Sequence, residues 1–206
     1  MHRIRGIQGV EEPGQEVSQH TRAVILTPNS CLGHTATMAG SNPIIVVGAG
    51  AAGMIAAGRA GELGAHVLLL EKMERPGKKI LVTGNGRCNL SNSRDIDSFI
   101  TQFGSNGRFL YSAFTRFFRD DLLSLLRRYG IECKTELDGK VYPTSDNARD
   151  IVRAFERYMA DGKVTAQVGV RVTGVVVENG RASGVRTTSG NVPASAVIIA
   201  AGGHER

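Results

Sequence analysis

Gly48-Ala49-Gly50-Ala51-Ala52-Gly53 and, 18 residues after the last glycine, Glu71 have the types and spacing to hold a phosphorylated ligand. A glycine at the first position permits a tight turn. At the second it lets a pyrophosphate approach the main chain with no Cβ between them. At the third it lets a following helix close onto a preceding strand. The free N–H groups at such a helix start, with about half a positive charge, suit phosphate. A carboxylate at the end of the next strand accepts both hydroxyls of a ribose and repels a 2′-phosphate. Turn and carboxylate together therefore point to a dinucleotide, FAD or NAD(H) rather than NADP(H). With 26 glycines in the chain, the GxGxxG pattern alone is weak, and its setting must decide.

That setting is favourable. Pro43-Ile44-Ile45-Val46-Val47 is a short β-branched run, as in a strand buried on both faces of a parallel sheet. Gly48 ends it, Ala51 to Leu63 reads as an Ala- and Gly-rich helix, and Gly64 is a natural stop. His66-Val67-Leu68-Leu69-Leu70 is a second apolar strand ending on Glu71. The whole is a βαβ unit.

Beyond it, residues 72–108 are polar and rich in Gly, Asn and Ser and read as a long loop, a length usually tied to function. Phe109, Tyr111, Phe114, Phe117 and Phe118 follow, expected to pack as core. Phe118, Leu122, Leu125, Leu126 and Tyr129 share one helical face. A second helix is expected from Ser145 or Asp146 as N-cap, with Ile151, Val152, Phe155, Tyr158 and Met159 as its stripe and Gly162 after its end. Three strands, 164–168, 170–178 and 182–188, then read as a β-meander, with Asn179-Gly180 as a type I′ hairpin turn. Val197-Ile198-Ile199-Ala200 is a buried return strand stopped by Gly202-Gly203. The fold class is α/β: a Rossmann-like parallel sheet of the FAD/NAD(P)-binding type, with a β-meander crossover and a short helical insertion.

Residues 1–42 show no period and are expected to be a disordered tail, with Met38 as a candidate start; the ordered domain is 43–206. The tail is electrically neutral, so the net charge of +6 belongs to the domain, where it is dispersed. A nucleic-acid binder would gather cations on one face among aromatics. No apolar run approaches the roughly 18 residues needed to span a bilayer. Cys31, Cys88 and Cys133 lack metal or disulfide spacing and read as reduced thiols of a cytoplasmic protein.

The βαβ unit does not choose between FAD and NAD. The distant pieces favour FAD: a simple NAD domain would continue with further βα units. Here a polar loop, helices and a meander intervene before a strand that returns to the pyrophosphate edge, a layout that recurs in two-dinucleotide-fold flavoproteins.

Residues 77–92, GKKILVTGNGRCNLSN, make the resemblance specific. With Arg108-Phe109-Leu110-Tyr111-Ser112-Ala113-Phe114 and Val141-Tyr142-Pro143-Thr144-Ser145-Asp146, they resemble a bacterial flavoprotein family called aminoacetone-oxidase-like, or BaiN-like after a bile-acid Δ-reductase. The resemblance covers residues 43–203. It implies an FAD-dependent oxidoreductase with NAD(P)H as a candidate reductant. By the family pattern, Gly48, Ala49, Gly50, Ala51, Ala52 and Gly53 hold the pyrophosphate, and Glu71, with Lys72 beside it, the adenosine ribose. Lys78, Lys79, Thr83, Gly84, Gly86 and Arg87 run along the flavin. Val172 touches adenine through its backbone, and Ala200, Ala201 and Gly202 close over the cofactor. Family members often carry Thr where this chain has Ala201, which loses a hydroxyl worth about 1 kcal/mol if hydrogen-bonded.

Family members run on well past the position of Arg206, so the expectation is a truncated FAD-binding part, with a C-terminal fragment of the same enzyme as partner. Its substrate is not legible, and no catalytic residue is assigned, because the flavin itself carries hydride chemistry. Cys88, beside Arg87, is the one candidate redox thiol; the alternative is a small packed residue. The other readings of the chain are a remnant that retains no flavin and a basic nucleic-acid-associated protein.

Overall fold

The computed structural model describes residues 42–203 and, within the tail, the strand Ile25–Leu26. The expectation of a disordered tail with a start at Met38 otherwise lies outside the described residues.

Five strands form the principal sheet. Taking Ile25–Leu26 as β1, the expected βαβ unit follows as β2 (Ile44–Val47), α1 (Ala51–Glu62) and β3 (Val67–Glu71). The stretch read as one long loop is instead folded into short pieces: α2 (Lys78–Val82), a 3₁₀ turn (Thr83–Gly86), β4 (Ser91–Asn92) and α3 (Ile96–Thr101), capped by the Asp95 carboxylate accepting from Ser98 N–H at 2.8 Å. A second 3₁₀ segment (Gly104–Leu110), α4 (Tyr111–Phe114) and α5 (Arg119–Arg128) complete the helical insertion. Then come β5 (Cys133–Thr135), β6 (Lys140–Pro143), α6 (Ala148–Asp161), β7 (Thr165–Val168), β8 (Val172–Glu178), β9 (Arg181–Thr187), β10 (Gly190–Pro193) and β11 (Ala196–Ile199).

The sheet order is β1-β11-β2-β3-β7, parallel from β11 to β7, with β1 antiparallel at the edge. The α/β class and Rossmann-like parallel sheet are as expected. One strand changes place: 165–168 pairs with β3 as a parallel edge and does not belong to the meander, which is β8-β9-β10. All four β7 residues are exposed, so its pattern of burial could not reveal its partner. A third sheet, β4-β6-β5, was not expected.

The core lies on both faces of the sheet. On one face α1 and α6 pack together, and the α6 stripe Ile151, Val152, Phe155, Tyr158 and Met159 is buried as its period requires. The α6 N-cap is Asn147, accepting from Arg149 N–H at 3.1 Å, rather than Ser145 or Asp146. The helices approach closely because α1 is lined by small residues: a Cβ on Gly58 would lie 2.5 Å from the Tyr158 ring. On the other face Ile45, Leu70 and Val197 meet Val185 of the meander. The aromatic cluster divides. Phe114 and Phe118 pack edge-on against Phe99, with ring centroids 5.3–5.5 Å apart, whereas Phe109, Tyr111 and Phe117 are exposed.

Candidate dinucleotide site

Three strand ends converge at the first βα corner. Gly48 N–H donates to Leu70 C=O at 2.8 Å, and Ala200 N–H to Val47 C=O at 2.9 Å, so β2 is tied to both neighbours as it ends. The turn then needs each glycine for a different reason. Gly48 adopts φ +100°, and a Cβ there would lie 2.6 Å from the Ala200 carbonyl oxygen. A Cβ on Gly53 would lie 1.8 Å from the Gly48 carbonyl oxygen, so helix and strand could not close. Gly50 has ordinary backbone angles, and a Cβ there would meet nothing within 4 Å. Its missing side chain leaves open space at the start of α1. That helix has no side-chain N-cap and no acidic residue in its first turn, so its leading N–H groups face this space with the positive end of the dipole.

Glu71 is not a surface carboxylate; it is 9% exposed. Oε2 accepts from Ala49 N–H at 2.6 Å and Oε1 from Met73 N–H at 2.9 Å. The carboxylate therefore clamps the glycine turn onto the end of β3, and each oxygen keeps a further lone pair for a ligand. Gly77 N–H donates to Ala49 C=O at 2.8 Å, which docks the start of α2 against the same turn and brings Lys78 and Lys79 to it.

Two cavities of about 380 and 390 Å³ meet at this corner and share Gly50, Lys79, Ala200 and Gly202. The first is the more polar of the two and is cationic: Gly48, Ala49, Glu71, Lys72, Lys78 and Ala201 line it, together with Met73, Arg75 and Gly203. Lys79 Nζ also reaches Gly203 C=O at 3.1 Å. The second is largely apolar, walled by Ala51, Ala52, Ile55, Ile80, Leu90, Leu122, Ile151, Phe155 and Ile199, with Thr83, Cys88 and Asn89 at its side.

Of the residues expected to hold the cofactor, Gly53, Gly84, Gly86, Arg87 and Val172 line neither cavity. Gly53 acts through packing. Val172 begins β8 just after Gly169 and Val170, whose N–H groups donate to Met73 and Glu71 C=O at 2.9 Å each; the meander is thus anchored to the first cavity's wall. Arg87 turns to Glu136, 2.6 Å away. Sequence reasoning missed the apolar wall, because Ile151 and Phe155 look like any core stripe and no local spacing marks their second face. It also missed Met73, whose contribution is a main-chain N–H that any residue supplies.

Cys88 is buried, donates its N–H to Thr83 C=O at 3.0 Å and has φ +65°. Burial pushes its thiol up, with a smaller opposing effect from Thr83. The neighbouring guanidinium is engaged elsewhere, so the thiol has the character of a packed residue rather than a reactive thiolate. Among the described residues, no cluster of three His, Cys, Asp or Glu could hold a metal ion, and no helix is long and apolar enough to cross a membrane.

The chain is similar to known proteins. The 3-dehydro-bile acid delta(4,6)-reductase of Clostridium scindens is 34% identical over 165 residues, 79% of this chain and 39% of that protein. A ribosomal RNA dihydrouridine synthase of Escherichia coli is 35% identical over 132 residues, 64% of this chain and 32% of the relative. The chain thus spans about two fifths or less of the length of these relatives. Among solved structures, a flavocytochrome c3 fumarate reductase in its open conformation superposes with a TM-score of 0.56 at 18% identity, over 79% of this chain and 33% of that one. A 3-ketosteroid-delta4-(5alpha)-dehydrogenase from Rhodococcus jostii RHA1 gives 0.53 at 16% identity, over 80% and 45%. These two likenesses establish the fold. The family model described as the HI0933-like protein Rossmann domain matches residues 42–205, through the turn, Glu71 and both cavities, and the chain belongs to that family.

Proposed function

We propose that this chain is the FAD-binding part of a flavin-dependent reductase acting on a carbon–carbon double bond conjugated to a carbonyl group. The observation that carries the reading is the paired cavity. A cationic chamber beside Glu71 and a more apolar chamber beside Thr83 and Cys88 meet over Gly50, the one glycine of the turn whose missing Cβ opens onto space. A nucleotide with an apolar ring system at its far end suits such a pair better than a single mononucleotide does.

In this reading the N–H groups at the start of α1 take the pyrophosphate, and Glu71 takes the adenosine ribose through its remaining lone pairs. Lys72, Lys78 and Lys79 offset phosphate charge. The apolar wall of the second cavity holds the ring and keeps water from it. FAD supplies hydride chemistry when bound, and the protein's part is to bind, orient and shield it. NAD(P)H is the natural source of reducing equivalents.

The substrate class draws on the relatives. One is named for reducing ring double bonds of a 3-oxo steroid, the other for making dihydrouridine, which is uridine with its ring double bond saturated. Both are conjugated carbonyl systems. A small enone is the reading we favour over an RNA base. The bile-acid relative matches more of the chain, and several surface arginines, including Arg59, Arg119 and Arg128, are ion-paired rather than gathered in a stripe.

The test is a titration of the purified, flavin-free chain with FAD, ADP, NAD and NADP, followed by flavin fluorescence or calorimetry. FAD should bind at about 1 µM or tighter, worth roughly 8 kcal/mol. ADP should compete with it, and NADP should not. A folded chain that takes up no FAD at about 100 µM, or binds NADP as well as FAD, refutes the assignment.

A further inference from the structure

We infer that Arg87 is a positioning residue: it fixes the turn that forms the side of the apolar cavity and touches nothing that fills it. The inference rests on the reading of that cavity as the flavin side.

The turn is held in an unusual shape. Gly84 (φ 58°), Asn85 (φ 56°), Gly86 (φ 84°) and Cys88 (φ 65°) all lie in the left-handed region, and Arg87 alone between them is right-handed. Asparagine tolerates that region and glycine prefers it, but cysteine does not. Two main-chain hydrogen bonds close the loop, Arg87 N–H to Gly84 C=O at 3.1 Å and Cys88 N–H to Thr83 C=O at 3.0 Å. A backbone of this kind persists only where its surroundings over-determine it.

Arg87 supplies that constraint. Its Nη1 lies 2.6 Å from Glu136, in the β5–β6 hairpin, and 3.5 Å from Asp146, just before α6. Its guanidinium sits 4.0 Å over the ring of Tyr142 in β6. The same ring presses on the turn: a Cβ on Gly84 would lie 2.9 Å from Tyr142 Cε1 and 2.9 Å from Asn89 N. Asp146 is itself paired with Lys134. One side chain thus joins the turn to the small sheet and to the start of α6. Thr83, Cys88 and Asn89, on either side of it, line the apolar cavity, whereas Arg87 does not. A planar guanidinium meets all three partners at once, which a lysine ammonium cannot reproduce.

The experiment compares wild type with Arg87→Lys, Arg87→Ala and Glu136→Gln in two states. In the flavin-free chain, amide hydrogen exchange at residues 83–89 should speed about tenfold or more in each variant, with the amides of α1 unchanged. In the FAD-loaded chain, each variant should weaken FAD about tenfold and shift the visible flavin band, with ADP affinity unchanged. The Arg87→Ala/Glu136→Gln double variant should be no worse than Arg87→Ala. Unchanged exchange at 83–89 overturns the inference, as does faster exchange with FAD affinity and spectrum intact. A direct charge contact with the ligand would show itself differently, in Arg87→Lys retaining FAD and Glu136→Gln leaving the flavin band in place; that outcome also overturns it. Wild type that binds ADP but no FAD defeats the flavin reading itself, which the variants do not bear on.

Discussion

Gly50 and Gly53 stand three residues apart in one turn, yet replacing them should have opposite consequences. A Cβ on Gly53 would sit 1.8 Å from the Gly48 carbonyl oxygen. Ordinary contacts begin above 3 Å, so α1 and β2 would have to part by more than an ångström at a point where both are main chain. Overpacking of this kind costs about 3 kcal/mol. For a domain of this size that is a fall of about 6–12 °C in Tm. The Cβ that Gly50→Val adds meets no atom within 4 Å, and φ −78°, ψ −175° suits a β-branched residue. Its stability without ligand should lie within about 0.5 kcal/mol of wild type, even with the gain from a stiffer unfolded chain. The new side chain fills the space onto which the start of α1 opens. Two charge-assisted N–H contacts to phosphate would weaken, at a combined cost of about 3 kcal/mol, or roughly 100-fold in Kd. Paired thermal melts and FAD titrations decide it. A Gly50→Val chain that binds FAD within threefold of wild type would place the pyrophosphate elsewhere. A Gly53→Ala chain as stable as wild type would mean that helix and strand are not in contact as described.

Three further outcomes follow from the same geometry. Glu71→Ala leaves the Ala49 N–H without its acceptor at a nearly closed corner, so the ligand-free chain should lose about 2 kcal/mol in a urea melt as well as binding FAD more weakly; weaker binding with unchanged stability would contradict the clamp. Cys88 should resist a thiol reagent at pH 8 until the chain unfolds, as peptide mapping would show, because burial pushes its thiol up; rapid labelling in the folded chain would reopen its role as a redox thiol. Glu62 is held at about 2 by hydrogen bonds from Arg59 and Tyr158, with Arg128 adding to them. Its folded value lies below the ordinary 4.5, so the stability it lends is present above about pH 4.5 and lost as pH falls toward 2. Glu62→Gln should therefore flatten that part of the Tm–pH curve, and an unchanged slope would remove Glu62 from acid stability.

What the sequence made legible was what is local. The βαβ unit needs only adjacent runs and a glycine turn, and it stands where the pattern placed it. Asn179 and Gly180 have φ of 51° and 75°, both positive as a type I′ turn demands. The α6 stripe is buried because a 14-residue helix repeats its period often enough to be read. Short elements repeat nothing. The two to six residues of β4, α2 and α3 are too few to repeat a period twice, so the 72–108 stretch reads as a loop. β5 and β6 were missed for the same reason. Tertiary pairing left no trace either: nothing near Arg87 announces Glu136, which lies 49 residues on. The exposed Phe109 and Phe117 show the converse, since an aromatic run does not say which rings turn inward.

The site's donors are fixed less by the glycine motif than by an account of where the corner's N–H groups go. Every buried main-chain donor must find an acceptor. The Gly48 N–H goes to Leu70 C=O, which joins β2 to β3. The Ala49 N–H goes to Glu71. Ala200 uses its own N–H to hold β11 against Val47, and Gly77 uses its N–H to hold α2 against Ala49. The donors of three converging segments are thereby consumed in building the corner. The next N–H groups along the chain are those of the N-cap residue Gly50 and of the uncapped first turn of α1, beside the opening that Gly50 leaves. An anion arriving there competes with no internal partner, and the dipole of a 12-residue helix favours it. Glu71 thus serves the phosphate site at a distance: by taking the Ala49 N–H it holds the turn in the one shape that leaves the following donors unspent.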